Sequence, residues 1–199
     1  MGSLHPAASK DQLRVTLRQC REAIPPAQRA MWSQQLAAEG AQALRERAAA
    51  PGAIVSAYWP IRSEADPRPL ALALAALGAR LALPIVDGDR IAFHAWNGGE
   101  AELVPAGFGA LGPASDAPVE APTIVLAPLL GFDANGQRLG WGKGYYDRYL
   151  AHCAVPPFVV GIAFACQEVV AIPAERHDRR IDAVLTEQGL RWCATRPCS

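Results

Sequence analysis

The chain has 199 residues, of which 51% are hydrophobic, enough to bury one substantial core within the usual size range of a single domain. Its 19 Lys and Arg balance 19 Asp and Glu, and a formal net charge of +0 gives no electrostatic footprint for nucleic acid or an anionic membrane. Five scattered cysteines without a CxxC pair argue against a disulfide framework or a zinc ribbon, and they favour reduced thiols in a cytoplasmic protein.

The N-terminal segment MGSLHPAAS contains no apolar stretch of signal-peptide length. We therefore predict a disordered lead-in over 1–9 and a single domain over 10–199. The most apolar window, LALALAALGARLALPIV, is interrupted by Gly78, Arg80 and Pro84, so no membrane span is expected. No nucleic acid, membrane or obligatory protein partner is predicted.

Apolar residues at helical spacing open the domain. Leu13, Leu17 and Cys20 recur at steps of three and four residues, and the same spacing returns over 32–47. Two amphipathic helices are expected there. The short β-branched run in PGAIVSAYWP then predicts a strand, and RPLALALAALG predicts a helix that ends at its glycine.

Further apolar runs follow. ARLALPIV, RIAFHAW, TIVLAPLL and PFVVGIAFA are each predicted as strands, and 145–153 has helical composition. Strands that alternate with helices and are apolar along their length indicate a mostly parallel sheet covered on both faces. We expect the Gly-, Ala- and Pro-rich interval 98–122 to be a long loop over this sheet rather than a domain boundary.

The segment GQRLGWGKGYYDRYL, at 136–150, concentrates glycines, cations, tyrosines and a carboxylate between a strand and a helix. Backbone N–H groups at such a position can cradle phosphate. The spacing fits neither a Walker A loop nor GxGxxG, and a simple glycine-rich turn is an equal alternative on the glycines alone. Arg138 and Lys143 in the same loop favour a phosphate site.

The neighbouring tyrosines and carboxylate have ordinary alternatives too. Tyr145 and Tyr146 are expected to point one inward and one outward, either stacking on a heterocycle or filling the core. Asp147 is a candidate magnesium ligand, although an acidic residue in a first helical turn also suits the helix dipole. Asp178 and Asp182 would share a face if their segment is helical, with a solvated, salt-bridged surface as the default.

Two more charged positions stand out. Lys10 and Arg14 lie one turn apart at the start of the first predicted helix, where positive charge is unfavourable, so they either bind an anion or simply face solvent. Glu64 follows a strand end and either reaches a ligand over the sheet or faces water. His177 lacks a His or Cys partner and is not predicted to bind metal.

Taken together, four ordered segments resemble the 5-formyltetrahydrofolate cyclo-ligase family, also called methenyltetrahydrofolate synthetases. GFDANGQRLGWGKGYYDRYL resembles the family signature, and KDQLR, YWPIRSEAD and GIAFACQEVVAIPAERHDRRIDAVLTEQG resemble its other blocks. The resemblance implies an α/β fold, a three-layer α/β/α sandwich with a mostly parallel sheet, like that of sugar-phosphate isomerases and CoA transferases. It also implies ATP-driven closure of 5-formyltetrahydrofolate into 5,10-methenyltetrahydrofolate through a phosphorylated formyl group, an iminium phosphate, releasing ADP and phosphate.

The resemblance further implies a role for each matching position. The implied ATP-binding residues are Lys10, Arg14, Arg138, Leu139, Gly140, Trp141, Gly142, Lys143, Gly144, Tyr145 and Tyr146. The implied folate-binding residues are Trp59, Glu64, Trp141, Gly142, Lys143, Gly144 and Tyr145. Arg138 and Lys143 are the implied catalytic cations, and Asp147 and Asp178 the implied Mg²⁺ ligands.

Two other functions fit parts of the sequence. One is a non-catalytic regulator that binds nucleotide or folate, and it would have no need of metal and γ-phosphate groups together. The other is a sugar-phosphate isomerase, which would require a catalytic base and no ATP. Trp59 is bulkier than the aliphatic residue expected from the family. Trp141 and Lys143 stand where many members carry an aromatic such as Tyr and a glycine, although a lysine also occurs there.

Overall fold

The structure of the chain, a computed structural model, describes residues 9–107 and 109–194. Residues 1–8 of the predicted lead-in, residue 108 and the end of the predicted domain, 195–199, lie outside the described residues. Within the described part, no helix has both the length and the apolar character needed to cross a membrane. The five α-helices of this part are α1 (Lys10–Glu22), α2 (Pro26–Ala43), α3 (Arg45–Ala48), α4 (Arg68–Ala75) and α5 (Tyr145–His152).

Helix α1 begins with a capping box. The hydroxyl of Ser9 accepts from the backbone N–H of Gln12 at 3.3 Å, and the Gln12 side chain accepts from the backbone N–H of Ser9 at 2.8 Å. This reciprocal pair satisfies N–H groups that a helix start otherwise leaves open. It makes Lys10 the first helical residue, so the position of the Lys10 side chain is set by the cap.

The strands are short and numerous. In chain order they are β1 (Ile54–Ser56), β2 (Arg80–Asp87), β3 (Arg90–Trp96), β4 (Val104–Pro105), β5 (Leu111–Gly112), β6 (Val119–Glu120), β7 (Ile124–Pro128), β8 (Gly131–Phe132), β9 (Arg138–Leu139), β10 (Phe158–Ile162), β11 (Ala183–Thr186) and β12 (Gly189–Trp192). Eight of them form one sheet in the order β12-β11-β10-β7-β1-β2-β3-β6. Strands β11, β10, β7, β1 and β2 are parallel, and β12, β3 and β6 add antiparallel edges.

Both faces of the sheet are buried, because successive side chains along each strand point to opposite sides. Val55 packs in the larger core cluster with Leu36 of α2 and Leu70 of α4. Its neighbour Ile54 belongs to the cluster on the other face, against which Tyr149 of α5 packs. Helices thus cover the sheet from both sides, and the predicted three-layer α/β/α fold with a mostly parallel sheet is confirmed.

The order of the strands reverses between β1 and β7. From β1 the chain moves outward to β2 and β3, then returns to β7 on the other side of β1 and continues to β10 and β11. In open α/β sheets, such a reversal leaves a crevice beyond the carboxyl ends of the two strands, where ligands bind. Glu64 follows β1, and the glycine-rich loop 140–144 follows the hairpin of β8 and β9 after β7.

The predicted helices and strands before residue 163 are all present, and 98–122 is a long connection that carries only the short strands β4, β5 and β6. The segment that contains Asp178 and Asp182 is not helical. Asp178 lies in a turn, and Asp182 precedes β11 and accepts from the backbone N–H of Val159 at 2.7 Å. The two carboxylates therefore share no helix face, and Asp182 holds together two neighbouring strands.

Gly136, in the turn between β8 and β9, provides a stability test. Its φ is +76°, and a Cβ there would lie 2.5 Å from the carbonyl oxygen of Ile181. Gly52 has the same φ but nothing within 4 Å. We expect Gly52→Ala to cost about 1–2 kcal/mol of unfolding free energy from backbone strain, and Gly136→Ala about 1–3 kcal/mol more from the clash. Chemical denaturation measures both, and equal losses would contradict the close approach.

Candidate active site

A single cleft of about 650 Å³ lies at the reversal point of the sheet. It brings together every residue that the sequence analysis assigned to a site. The predicted residues that line it are Lys10, Arg14, Trp59, Glu64, Arg138, Leu139, Gly140, Trp141, Gly142, Lys143, Gly144, Tyr145, Tyr146, Asp147 and Asp178. These come from α1, the segment after β1, the continuous stretch of β9, the glycine-rich loop and the first turn of α5, and the turn before β11, and these four regions are separated in sequence.

The glycine-rich loop passes close to α1. Gly142 has a φ of +91°, a conformation that favours glycine, and a Cβ on it would lie 3.4 Å from Arg14 Nη2. Arg14 Nε donates to the carbonyl oxygen of Gly140 at 3.1 Å. Gly144, with a φ of +66°, forms the N-cap of α5. The loop therefore lies between a cation of α1 and the start of α5, as a phosphate-binding loop requires.

Arg138 is fixed by the surrounding chain. Its side chain is only 5% exposed, Nη2 donates to Asp147 Oδ1 at 2.8 Å, and Nη1 donates to the carbonyl oxygen of Arg179 at 2.6 Å. The backbone N–H of Arg179 also donates to Asp147 Oδ1, at 2.9 Å. Burial lowers the pKa of Arg138, and the nearby carboxylate of Asp147 opposes this shift. Arg138 is thus a positioned cation at the edge of the cleft.

Lys10 pairs with the late acidic segment. Its Nζ lies 2.8 Å from Asp178 Oδ2 and 3.2 Å from Glu175 Oε1. Burial disfavours both charges, but their mutual attraction prevails: the pKa of Lys10 is raised and that of Asp178 is lowered. Lys10 therefore stays cationic and Asp178 anionic around neutral pH. The two residues of this pair are 168 positions apart in sequence.

Lys143 has a different environment from these cations. Its side chain is exposed, and in the described part of the chain it forms no ion pair or side-chain hydrogen bond. Arg14, Arg138 and Lys10 each contact protein acceptors. A flexible lysine that lines the cleft without such a partner is available to an anion that enters it.

Glu64 faces the interior rather than water. Its side chain is 4% exposed; Oε1 accepts from the indole N–H of Trp141 at 3.0 Å, and Oε2 accepts from the backbone N–H of Ile61 at 3.0 Å. Burial raises the pKa of the Glu64 carboxyl, and these two hydrogen bonds, together with the charges of Arg21 and Arg62, oppose the rise. Of the two alternatives for Glu64, the structure selects the one in which it reaches into the cleft.

The two tyrosines differ as expected for neighbours on a helix. Tyr145 is at the rim, with its hydroxyl 3.4 Å from the carbonyl oxygen of Gly88 and the guanidinium of Arg148 5.4 Å from its ring centre. Tyr146 points inward, and its buried hydroxyl has no hydrogen-bond partner among the described residues. Burial raises the pKa of Tyr146. A buried donor without a partner on the lining of a cleft is a position where a ligand atom can bind.

Some residues of the site were missed from the sequence. Arg21, at 1% exposure, lies with Nη1 4.0 Å from Glu64 Oε1 and is not among the predicted site residues. Glu175 and His177 also line the cleft, and with Asp178 they place their ligand atoms within 4.8 Å of one another. The segment AERHD carried a visible cluster of charge, but nothing in its spacing pointed to Lys10.

The carboxylates present suit Mg²⁺. Asp147 and Asp178 each use Oδ1 or Oδ2 for hydrogen bonds within the described protein, which leaves the second oxygen of each without one. Mg²⁺ is commonly held by one or two carboxylates together with substrate phosphates and water. Asp147 is not part of the group formed by Glu175, His177 and Asp178.

Comparison with known proteins identifies relatives over nearly the whole chain. Residues 6–187 match the 5-formyltetrahydrofolate cyclo-ligase family. A 5-formyltetrahydrofolate cyclo-ligase of Mycolicibacterium smegmatis is 35% identical over 192 residues, covering 89% of this chain and 93% of the relative. One from Escherichia coli is 31% identical over 180 residues, covering 85% and 96%. The solved structure of a 5,10-methenyltetrahydrofolate synthetase from Aquifex aeolicus superposes with a TM-score of 0.73 at 26% identity, covering 96% of each chain.

The unpaired hydroxyl of Tyr146 leads to a stability prediction. Tyr146→Phe removes a buried polar atom that has no hydrogen-bond partner within 9–107 and 109–194, so the free energy of unfolding should stay the same or rise. Tyr58→Phe is the matched control, because the Tyr58 hydroxyl donates to the carbonyl oxygen of Ala65 at 2.8 Å. Its loss should cost about 0.5–1.5 kcal/mol. Urea denaturation compares the two, and an equal loss in both would show that Tyr146 has a protein partner.

Proposed function

Because the chain belongs to the 5-formyltetrahydrofolate cyclo-ligase family, we propose that it uses ATP to close 5-formyltetrahydrofolate into 5,10-methenyltetrahydrofolate, with release of ADP and phosphate. We also propose that 10–199 act as one domain. The observation that carries this proposal is the single cleft at the reversal of the sheet. It places the cationic glycine-rich loop and the buried Glu64 where two ligands can lie side by side.

The chemistry of the reaction matches the residue types in the cleft. A formamide carbon is a poor electrophile, so its oxygen must first become a leaving group. The γ-phosphoryl group moves from ATP to the formyl oxygen, a new P–O bond forms as the bond to ADP breaks, and an iminium phosphate results. The folate nitrogen N10 then attacks the formyl carbon. The bond from that carbon to the phosphorylated oxygen breaks, and phosphate and the proton of N10 leave. Such a sequence needs positioning and charge neutralisation and no protein nucleophile.

In this proposal the cations bind the triphosphate. Arg138 and Lys143 neutralise the charge that moves with the γ-phosphoryl group, and Lys10 and Arg14 bind from α1. Arg138 is held rigidly by Asp147, whereas exposed Lys143 can follow the group during transfer. Backbone N–H groups in the loop supply further donors. The proposed ATP-binding loop comprises Arg138, Leu139, Gly140, Trp141, Gly142, Lys143, Gly144, Tyr145 and Tyr146.

The folate is bound beside the same loop. Buried Glu64 accepts from N–H groups of the pterin, a role in which both carboxylate oxygens can serve. Trp59 lines the cleft, and the guanidinium of Arg68 lies 4.2 Å from the centre of its ring. The remaining proposed folate-binding residues are Trp141, Gly142, Lys143, Gly144 and Tyr145, so both substrates share the loop.

Asp147 and Asp178 would hold Mg²⁺ in this proposal. When bound, the ion neutralises phosphate charge and orients the phosphates. The chain's own contribution is to hold both carboxylates in place. Arg138 and the backbone N–H of Arg179 bind Asp147, and Lys10 binds Asp178.

We place the protein in the cytoplasm. Support comes from the cysteines: Cys20, Cys153, Cys166 and Cys193, the four that the structure describes, are all unpaired. Unpaired thiols are typical of a reducing compartment. The proposed small-molecule partners are 5-formyltetrahydrofolate and ATP.

The main alternative is a non-catalytic regulator that binds the same ligands. One assay separates the two functions: the absorbance rise of methenyltetrahydrofolate after protein, 5-formyltetrahydrofolate and Mg-ATP are mixed. We expect product with ATP and none without it. Binding of both ligands without product would favour the regulator, whereas product formed without ATP would refute the proposed chemistry. A sugar-phosphate isomerase would need neither the folate nor ATP.

Lys143→Ala tests the proposed role of the loop. We expect KM for ATP to rise, or kcat to fall, by about tenfold or more, because one charge-assisted contact contributes about 1.5–3 kcal/mol. The Kd for 5-formyltetrahydrofolate should change much less. Arg45→Ala removes an exposed cation outside the cleft and serves as the control. Equal losses for both ligands in Lys143→Ala would count against a role centred on phosphate.

A further inference from the structure

Arg21 is a buried charge for which the proposed chemistry has no use. It lies in the last turn of α1 and is 1% exposed. Nε donates to Ser63 Oγ at 3.1 Å, and Nη1 donates to the carbonyl oxygen of Leu129 at 3.4 Å. Nη2 has no hydrogen-bond partner among the described residues. A guanidinium this deeply buried and only partly bonded is costly for folding, so its retention needs a reason.

The surroundings of Arg21 supply that reason. Its Nη1 lies 4.0 Å from Glu64 Oε1, and its Cζ lies 5.5 Å from the ring centre of Trp141. Glu64 Oε1 in turn accepts from the indole N–H of Trp141. The side chains of Arg21, Glu64 and Trp141 thus each lie close to the other two. Glu64 and Trp141 line the cleft, and Arg21 lies behind them.

We propose that Arg21 is a positioning residue for folate recognition, which fixes the carboxylate of Glu64 and the ring of Trp141 without touching the ligand. This inference rests on the proposed binding of the pterin by Glu64. The ligand class is a heterocycle with adjacent N–H donors, since an ionised carboxylate with a fixed plane accepts two parallel hydrogen bonds. A carboxylate free to rotate, or protonated, would lose that selectivity.

Among the charged and titratable groups that face Glu64, Arg21 is the buried cation. The others are Arg62 from the same segment, Tyr58, and Tyr146 from α5. Arg62 is exposed, so water and salt screen its charge, whereas Arg21 acts through the protein interior. Burial raises the pKa of Glu64, and Arg21 opposes that rise. Without Arg21, the pKa of Glu64 should rise further, and Glu64 would take up a proton at higher pH.

Lysine cannot reproduce these contacts. The guanidinium uses Nε for Ser63 and Nη1 for Leu129 while its plane lies near Trp141. A lysine ammonium is a point charge without a plane, and it would keep the charge while losing this geometry. Arg21→Lys therefore removes the orienting contacts but keeps the charge, whereas Arg21→Met removes both.

The test measures 5-formyltetrahydrofolate affinity and both KM values across a pH series from about 5.5 to about 9. In Arg21→Met we expect about tenfold weaker folate binding near neutrality, an unchanged KM for ATP, and partial recovery at high pH. In Arg21→Lys the midpoint of the pH dependence of folate affinity should stay near that of the unmodified chain, and folate should bind more weakly at every pH. Arg18→Met, on the same helix but outside the cleft, should change none of these quantities.

A double-mutant cycle with Glu64→Gln gives the decisive comparison. If Arg21 acts through Glu64, Arg21→Met should weaken folate binding much less in the Glu64→Gln background than in the unmodified chain. Additive losses, an unmoved pH midpoint in Arg21→Met, or equal increases in both KM values would overturn the inference. If Arg21→Met does not fold, the same cycle with Arg21→Lys decides. An unmodified chain that binds folate with this pH dependence but forms no product would refute the proposed function alone.

Discussion

The site depends on ion pairs and hydrogen bonds that connect one N-terminal helix to distant parts of the chain. Lys10 binds Asp178, Arg14 binds the carbonyl oxygen of Gly140, and Arg21 binds that of Leu129. Their partners come from the turn before β11, the glycine-rich loop and the end of β7. Through these contacts α1, which packs against β8, becomes part of the cleft. These contacts are largely shielded from water, so their strength is less reduced by screening than that of surface pairs.

The charged groups in the cleft have two kinds of environment. Arg138 and Glu64 are buried and held by several bonds, which gives them fixed directions. Lys143 is exposed and, among the described residues, has no ion-pair or side-chain hydrogen-bond partner. The proposed reaction, in which a charged group moves between two bound ligands, would use both kinds of environment. Preorganised charges lower the cost of reorganisation, while a flexible lysine follows the moving charge.

Much of the fold could be predicted from the sequence because apolar runs reflect burial locally. TIVLAPLL and PFVVGIAFA became β7 and β10, and Gly142 lies where the chain turns closely past Arg14. The strand β11 was not predicted because it is only four residues long and directly follows a strongly charged stretch. The grouping of the site came from family resemblance, and the structure brings those residues to one cleft.

Arg21 shows why the rest could not be predicted. On α1 it lies four residues after Leu17, on the apolar face, and its burial depends on Ser63, Leu129 and Trp141, all more than 40 positions away. Glu175 is similar, since only the tertiary fold brings it to Lys10. Helical periodicity tells which face is apolar, but not which cation that face carries inward.

The capping box at Ser9 has a consequence for motion. Lys10 occupies the first turn of α1 and Arg14 the second, so unwinding at this terminus would release Lys10 from Asp178 before any strand of the sheet opened. Helix termini open more easily than central strands do. The local opening of the cleft is therefore coupled to fraying at one helix end, and amide hydrogens there should exchange faster than those of β7 and β10.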